Sequence, residues 1–279
     1  MSIAVSEAVE PVLVSPHSLF KMDEGTGVTL NDSAPAPLQI IGDMTYAGTN
    51  TAGDAQWTGS PGCLTPVGWD AWNADAGGHS NLKTLETLGG QLIFFCDYIF
   101  ATLPTGTTNF FDMGEWGTTN TINTYFTAAG TDYIKASWLQ GTGSPFTSDV
   151  QQFVESIATG AALVRTTRQS VLSYFDPARG EFGLYINGQL QKDDQAAGSP
   201  AANGASNRRY DRSLLIDLPS ANGFKFMRAW GGGAAGGSIH TRRMGLIVTQ
   251  SDKIEVIPSL AHCLSRSDSH TLPSIFNGV

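Results

Sequence analysis

Four runs rich in β-branched and aromatic residues follow one another in the middle of the chain: Gln91–Thr102, Asn109–Glu115, Thr121–Thr127 and Tyr133–Leu139. Gly and Thr separate them at nearly regular spacing. Short runs so placed constrain the chain to an antiparallel sandwich or barrel. No segment sustains a helical period, which disfavours an alternating βαβ fold. Hydrophobic residues make up 41% of 279 residues, enough for one sizeable core. The 32 glycines, with Thr, Ser and Asn, fill the gaps between apolar runs, as turn-rich all-β chains require.

The same reading extends outward. Ser18–Lys21 and Val28–Asp32 are expected strands on either side of a tight turn at Glu24-Gly25-Thr26-Gly27, and Leu38–Ile41 is a further short strand. Thr49–Gly78 reads as long loops with short strands. Ser148–Ser156 reads as one or two helical turns, then Ala161–Ser173 and Glu181–Ile186 as strands around the turn Asp176–Gly180. Asn187-Gly188, flanked by Leu184-Tyr185-Ile186 and Gln189-Leu190, is the strongest hairpin signal in the chain. Phe224–Trp230 and Met244–Thr249 are late strands, and Pro258–Ser267 a short helix. The expected organisation is an arm at 1–16, a sandwich at 17–257 and a tail at 258–279 containing that helix.

Charge narrows the function classes. The net charge is −9, so phosphate backbones should repel the chain, and a nucleic-acid partner is not expected. The basic pairs Arg208/Arg209 and Arg242/Arg243 read as solvated loop or strand-end charge. Three cysteines, Cys63, Cys96 and Cys263, lack close spacing and form no disulfide framework. Cys96 sits in an apolar run and reads as a small buried hydrophobe. The N-terminus lacks the basic and apolar regions of a secretory signal. The run Leu92–Leu103 is interrupted by Asp97 and too short to insert in a membrane. The expectation is a chain folded in the cytoplasm, reaching any exterior site by another route, such as a virion released by lysis.

Two stretches carry a family pattern. Ser18-Leu19-Phe20-Lys21-Met22-Asp23-Glu24-Gly25-Thr26-Gly27-Val28-Thr29-Leu30-Asn31-Asp32-Ser33 resembles the opening of laminin-G-like, concanavalin A-like jelly rolls. Val171-Leu172-Ser173-Tyr174-Phe175-Asp176 followed by Glu181-Phe182-Gly183-Leu184-Tyr185-Ile186-Asn187-Gly188 resembles the late hairpin of the same family. The resemblance implies an all-β, two-sheet antiparallel β-sandwich with loops clustered at its rim. It also implies a carbohydrate- or protein-binding role more often than a glycosidase. The family's last strand often carries a Gly-x-Ile-Asp-Asp-like motif. Gly237-Ser238-Ile239-His240-Thr241-Arg242 stands here without a carboxylate, so no metal site is expected. Asp32 could ligate calcium or, closing a turn, cap backbone N–H groups.

Catalytic patterns are missing. Retaining glycosidases need two carboxylates about 5 Å apart, and the Glu-x-Asp-x-x-Glu spacing expected on this fold does not occur. Asp112 and Glu115 have odd spacing, which places them on opposite faces of a strand. There is no Gly-x-Ser-x-Gly elbow and no P-loop. The Gly-x-Gly-x-x-Gly at Gly231, Gly233 and Gly236 precedes a strand, not a helix, and reads as a hairpin loop. His262, Cys263 and His270 lack a fourth ligand and the tight spacing of a zinc site.

Aromatic side chains remain. Trp57, Trp69, Trp72 and Trp116 lie in or beside loop-rich stretches and are the candidate ligand-binding residues. Large residues also fill cores, and Trp138 and Trp230 read that way. The expected function is a non-catalytic structural or adhesive virion component, such as a decoration, head-fibre or tail-appendage subunit. It would form a homo-oligomer and meet other virion or surface proteins through its arm and tail. The alternative is a carbohydrate-binding module with glycans as partners.

Overall fold

Asn187 and Gly188 both adopt positive φ, +51° and +77°, the signature of a type I′ hairpin turn. They join β13 (Glu181–Ile186) to β14 (Gln189–Leu190). The Asn187 side chain fixes the turn further. Its Oδ1 accepts the Ser170 N–H at 2.9 Å, and its Nδ2 donates to Gln169 Oε1. Both partners belong to β12 (Gln169–Asp176), which pairs antiparallel with β13.

The computed structural model describes residues 18–24, 29–34, 43–47, 56–57, 64–65, 71–74, 90–100, 107–113, 121–127, 133–139, 151–155, 168–176, 181–191, 208–209, 224–230, 239–250 and 256–266. They form two sheets, and every pairing is antiparallel. The first sheet adds β1 (Ser18–Phe20), β4 (Gln56–Trp57), β5 (Leu64–Thr65), β7 (Gly90–Phe100), β15 (Arg208–Arg209) and β17 (Ile239–Gln250) to that hairpin. Its order is β14-β13-β12-β7-β17-β5-β4, with β1 on β17 and β15 on β13. The second sheet contains β2 (Thr29–Leu30), β3 (Met44–Ala47), β6 (Ala71–Ala74), β8 (Thr107–Met113), β9 (Thr121–Thr127), β10 (Tyr133–Leu139), β11 (Gln151–Glu155) and β16 (Phe224–Trp230). Its order is β11-β10-β9-β8-β16-β6-β3-β2. The chain is the expected two-sheet antiparallel sandwich.

Rings from the two sheets meet in the interior. Phe94 stacks on Phe111 at 4.8 Å, Tyr98 lies 5.0 Å from Phe110, and Phe111 lies 6.3 Å from Phe175. A bulge in β8 between Asn109 and Phe111 breaks the pleat, so the adjacent residues Phe110 and Phe111 are both buried against the opposite sheet.

The outer face of the first sheet is also covered. Helix α1 (Val256–Arg266) presents Ile257, Leu260, Ala261 and Leu264, an i, i+3, i+4, i+7 stripe. They join one buried cluster with Leu19, Ala34, Ile93, Phe95, Leu172, Tyr174, Tyr185 and Ile247, the helix itself lying against β12, β13 and β14. Burial of each such side chain contributes about 1.5–3 kcal/mol. Cover on both faces explains why Leu92–Cys96 is apolar at every position and does not alternate. Pro258 falls in the first helical turn, where its missing N–H costs nothing.

Several sequence expectations change. Ser18–Ser33 is not a hairpin: β1 joins β17 in the first sheet, and β2 joins β3 in the second. Within Ser148–Ser156 the described residues form strand β11, not helical turns, because β10 offers a free edge from Lys135 to Leu139. The strands before and after Gly231, Gly233 and Gly236, β16 and β17, belong to different sheets and so do not pair as a hairpin, and the three glycines lie outside the described residues. The last strand, Ile239–Gln250, contains the expected Met244–Thr249 and begins close behind the glycine run, where Ser238–Val248 also reads as a strand, and β7 pairs with it along its whole length. Leu38–Ile41, the arm at 1–16 and the tail beyond Arg266 lie outside the described residues.

Candidate functional site

The family-like opening performs structural chemistry. Asp32 Oδ1 accepts the N–H of Leu19 at 2.9 Å and of Ala34 at 3.0 Å. The Ser33 N–H donates to the Leu19 carbonyl at 2.7 Å, so both free backbone groups of Leu19 are met by the Asp32–Ser33 segment. Asp43 Oδ1 in turn accepts the Asp32 N–H at 2.8 Å. Glu24 Oε1 accepts both the backbone N–H and the Nδ2–H of Asn31, at 2.7 and 3.1 Å. Met22, buried at φ +56°, starts this turn in a left-handed conformation. Asp32 thus acts as the backbone cap, one of its two expected roles. Among the described residues no group of three or more His, Cys, Asp or Glu side chains is placed to hold a metal ion.

A second cluster was not foreseen. The residue that interrupts the apolar run, Asp97, faces the outer side of the first sheet in line with Phe95 and Ile93. A bulge in β17 between Thr241 and Arg243 sets Arg243 directly opposite Asp97. The Arg243 Nη2 to Asp97 Oδ2 distance is 2.7 Å, with both side chains 1% exposed. Arg168, just before β12, reaches the same oxygen at 3.0 Å and is 18% exposed. Its Nη2 also donates to the Leu264 carbonyl in the last turn of α1, at 2.6 Å. The Arg243 guanidinium lies 5.9 Å from the centre of the Phe95 ring.

Arg243 is therefore not the solvated charge expected from the sequence. Its partners, at positions 97 and 168, become neighbours only when β7, β12 and β17 align. Burial pushes the Asp97 carboxyl above its ordinary range, against the pull of Arg243 and then Arg168. Burial likewise lowers the Arg243 guanidinium, against the stabilising pull of Asp97. The warning in the sequence was the lone carboxylate inside an apolar strand, which must find a partner when buried.

Asp97 and Arg243 are each 1% exposed, and α1 meets the cluster where Arg168 holds the Leu264 carbonyl. Cys96, next to Asp97, is fully buried as expected, and desolvation holds its thiol well above the usual range. On α1, His262 is exposed and Cys263 half-buried, adjacent positions on one helical turn.

The tryptophan candidates are only partly located. Trp57 sits in β4, opposite Leu64 of β5, at the end of the first sheet. Trp72 sits in β6 of the second sheet, opposite Phe226 on one side and Tyr46 on the other. The two therefore belong to different sheets. Trp69 and Trp116 lie outside the described residues, as does Glu115, the partner weighed for Asp112.

No protein-family model and no curated protein sequence matches this chain. Solved structures do resemble it. The receptor-binding domain of botulinum neurotoxin C/D mosaic serotype superposes with a TM-score of 0.53 at 11% identity, over 88% of this chain and 51% of that one. A botulinum neurotoxin type C structure, of a toxin whose passage into cells depends on two ganglioside molecules, gives 0.50 at 11% identity, over 88% and 51%. A Trypanosoma rangeli sialidase in complex with a difluoro-KDN sugar gives 0.52 at 13% identity, over 89% and 32%. The chain thus spans about half of the toxin chains and about a third of the sialidase. These similarities establish the fold, an antiparallel β-sandwich.

Proposed function

We propose that this chain is a non-catalytic glycan-binding module. The observation that carries the reading is the fate of its buried charges. Among the described residues these are Asp32, Asp97 and Arg243. The first caps backbone, and the other two pair with each other at 1% exposure. A sandwich of this kind offers stacking surfaces and loop rims in place of acid–base pairs, and Trp57, Trp69, Trp72 and Trp116 supply the aromatic faces for sugar C–H surfaces. The similar structures include a toxin dependent on gangliosides and a sialidase holding a sugar, and this favours the glycan reading over a virion role. Placement on a particle or cell surface, self-association, and contacts through residues 1–16 and 258–279 are further parts of the proposal. Glycan binding does not need them.

A glycan array probed with the full chain tests the reading, with and without EDTA, followed by product analysis on each retained glycan. Retention of a defined glycan set, unchanged by EDTA and without cleavage, is expected. Silence across the array, or hydrolysis of a retained glycan, overturns the reading. Loss of binding in EDTA would restore calcium as a cofactor.

A further inference from the structure

The interior of the sandwich is built from the facing sides of the two sheets, through Phe94, Tyr98, Phe110, Phe111 and Phe175. Helix α1 contributes nothing to it. The helix lies on the outside, held by one apolar stripe and by its contact with the Asn187-Gly188 turn, where a Cβ on Gly188 would stand 3.1 Å from His262 Cα. Removing α1 would leave these interior rings in place while uncovering Leu172, Tyr174 and Tyr185 of β12 and β13.

The ion cluster fixes how firmly the helix sits. Arg168 and Arg243 both meet the same oxygen of the Asp97 carboxylate. The C-terminal end of a helix carries about half a negative elementary charge on its last carbonyls, which lack intrahelical partners. The Leu264 carbonyl is one of these, and Arg168 holds it while also pairing with Asp97. The helix end is thus tied to the cluster through Arg168. Arg168 touches both the helix and the sheet, and at 18% it is more exposed than Asp97 or Arg243.

We propose that α1 is a detachable strap, that Arg168 is its latch, and that the strap leaves and reseats on the first sheet while the sandwich stays folded. This inference does not depend on the glycan reading. Openings of this kind are local unfolding events, with free energies below that of global unfolding.

The chain carries its own reporters. Cys263 lies half-buried on α1, and Cys96 is fully buried in β7 between the interior residues Phe94 and Tyr98. Thiol-labelling rates in the full chain, resolved by peptide mass spectrometry, separate strap opening from global unfolding. Arg168→Met should speed Cys263 labelling about tenfold or more, the loss expected for one charged hydrogen bond. Cys96 labelling should keep its rate. Arg168→Lys, which keeps the charge but loses the planar fork, should fall between. An unchanged Cys263 rate in Arg168→Met overturns the proposal, and so does equal acceleration of both thiols. If Arg168→Met does not fold, wild-type chain in rising urea decides. Cys263 reactivity rising ahead of Cys96 supports the strap, and coincident midpoints overturn it.

Discussion

The hydroxyls of Thr124 and Ser173 meet at 2.6 Å in the middle of the sandwich, joining β9 of one sheet to β12 of the other. Both residues are 0% exposed, and in register Thr124 stands opposite Phe111 and Ser173 opposite Phe94. Removing one hydroxyl leaves the other buried with its partner gone, which costs about 1–3 kcal/mol. Thr124→Val and Ser173→Ala should each destabilise by about that much, and the double variant by clearly less than their sum. Urea midpoints of the four proteins close this cycle. Strict additivity would show that the pair does not couple the sheets.

Asp97 tests the buried ion cluster. Asp97→Asn removes the carboxylate that the buried Arg243 meets at 2.7 Å, and destabilisation of about 3–5 kcal/mol is expected. Asp97→Leu combined with Arg243→Met removes both charges and should recover most of that loss, because well-packed apolar replacements of buried pairs are often neutral. Chemical denaturation of the single and double variants gives the comparison. A double variant as unstable as the single would mean that the pair does more than neutralise itself.

Glycine is required at Gly245 for space. A Cβ there would lie 2.6 Å from both the Phe95 ring and the Ser18 carbonyl oxygen, and the second neighbour is backbone that cannot step aside. Gly245→Ala should therefore cost about 1–3 kcal/mol and loosen β1 from β17. Faster amide exchange at Ser18 and Phe20 is the local readout.

Tyr98 sets an alkaline limit. Burial pushes its hydroxyl far above the ordinary tyrosine range. A proton held more tightly in the folded chain contributes stability that is complete below about pH 10, the unfolded value, and is lost as the pH rises beyond it. Between pH 9 and 11.5 the wild-type chain should lose more stability than Tyr98→Phe. Parallel loss in both proteins would assign the alkaline sensitivity elsewhere.

How far the sequence leads differs from element to element. β9, β10, β13 and β16 have the bounds expected from their residues, because period and turn chemistry are local. Asn187-Gly188 likewise needs no context beyond its own φ angles. Partner choice is not local. The turn signal near Glu24 shows that the chain reverses there, and it cannot show that β1 and β2 go to different sheets. Gln151–Glu155 is a strand because β10 pairs with it, and its five residues alone do not decide that. The Asp97–Arg243–Arg168 cluster joins positions far apart in the chain, so only the warning at Asp97 could be read beforehand. The tryptophans were chosen as aromatic residues near loops, and the described residues locate the strands of Trp57 and Trp72 without uniting them.

The central claim is that aromatic faces on this sandwich bind a glycan. Its most direct test is calorimetric titration of the best array ligand into the wild-type chain and into Trp57→Ala, Trp69→Ala, Trp72→Ala and Trp116→Ala, with urea midpoints confirming that each variant is folded. The account predicts that at least one folded variant binds about tenfold more weakly or worse, as expected for loss of an aromatic contact worth about 1.4 kcal/mol or more. Unchanged affinity in all four folded variants would contradict it.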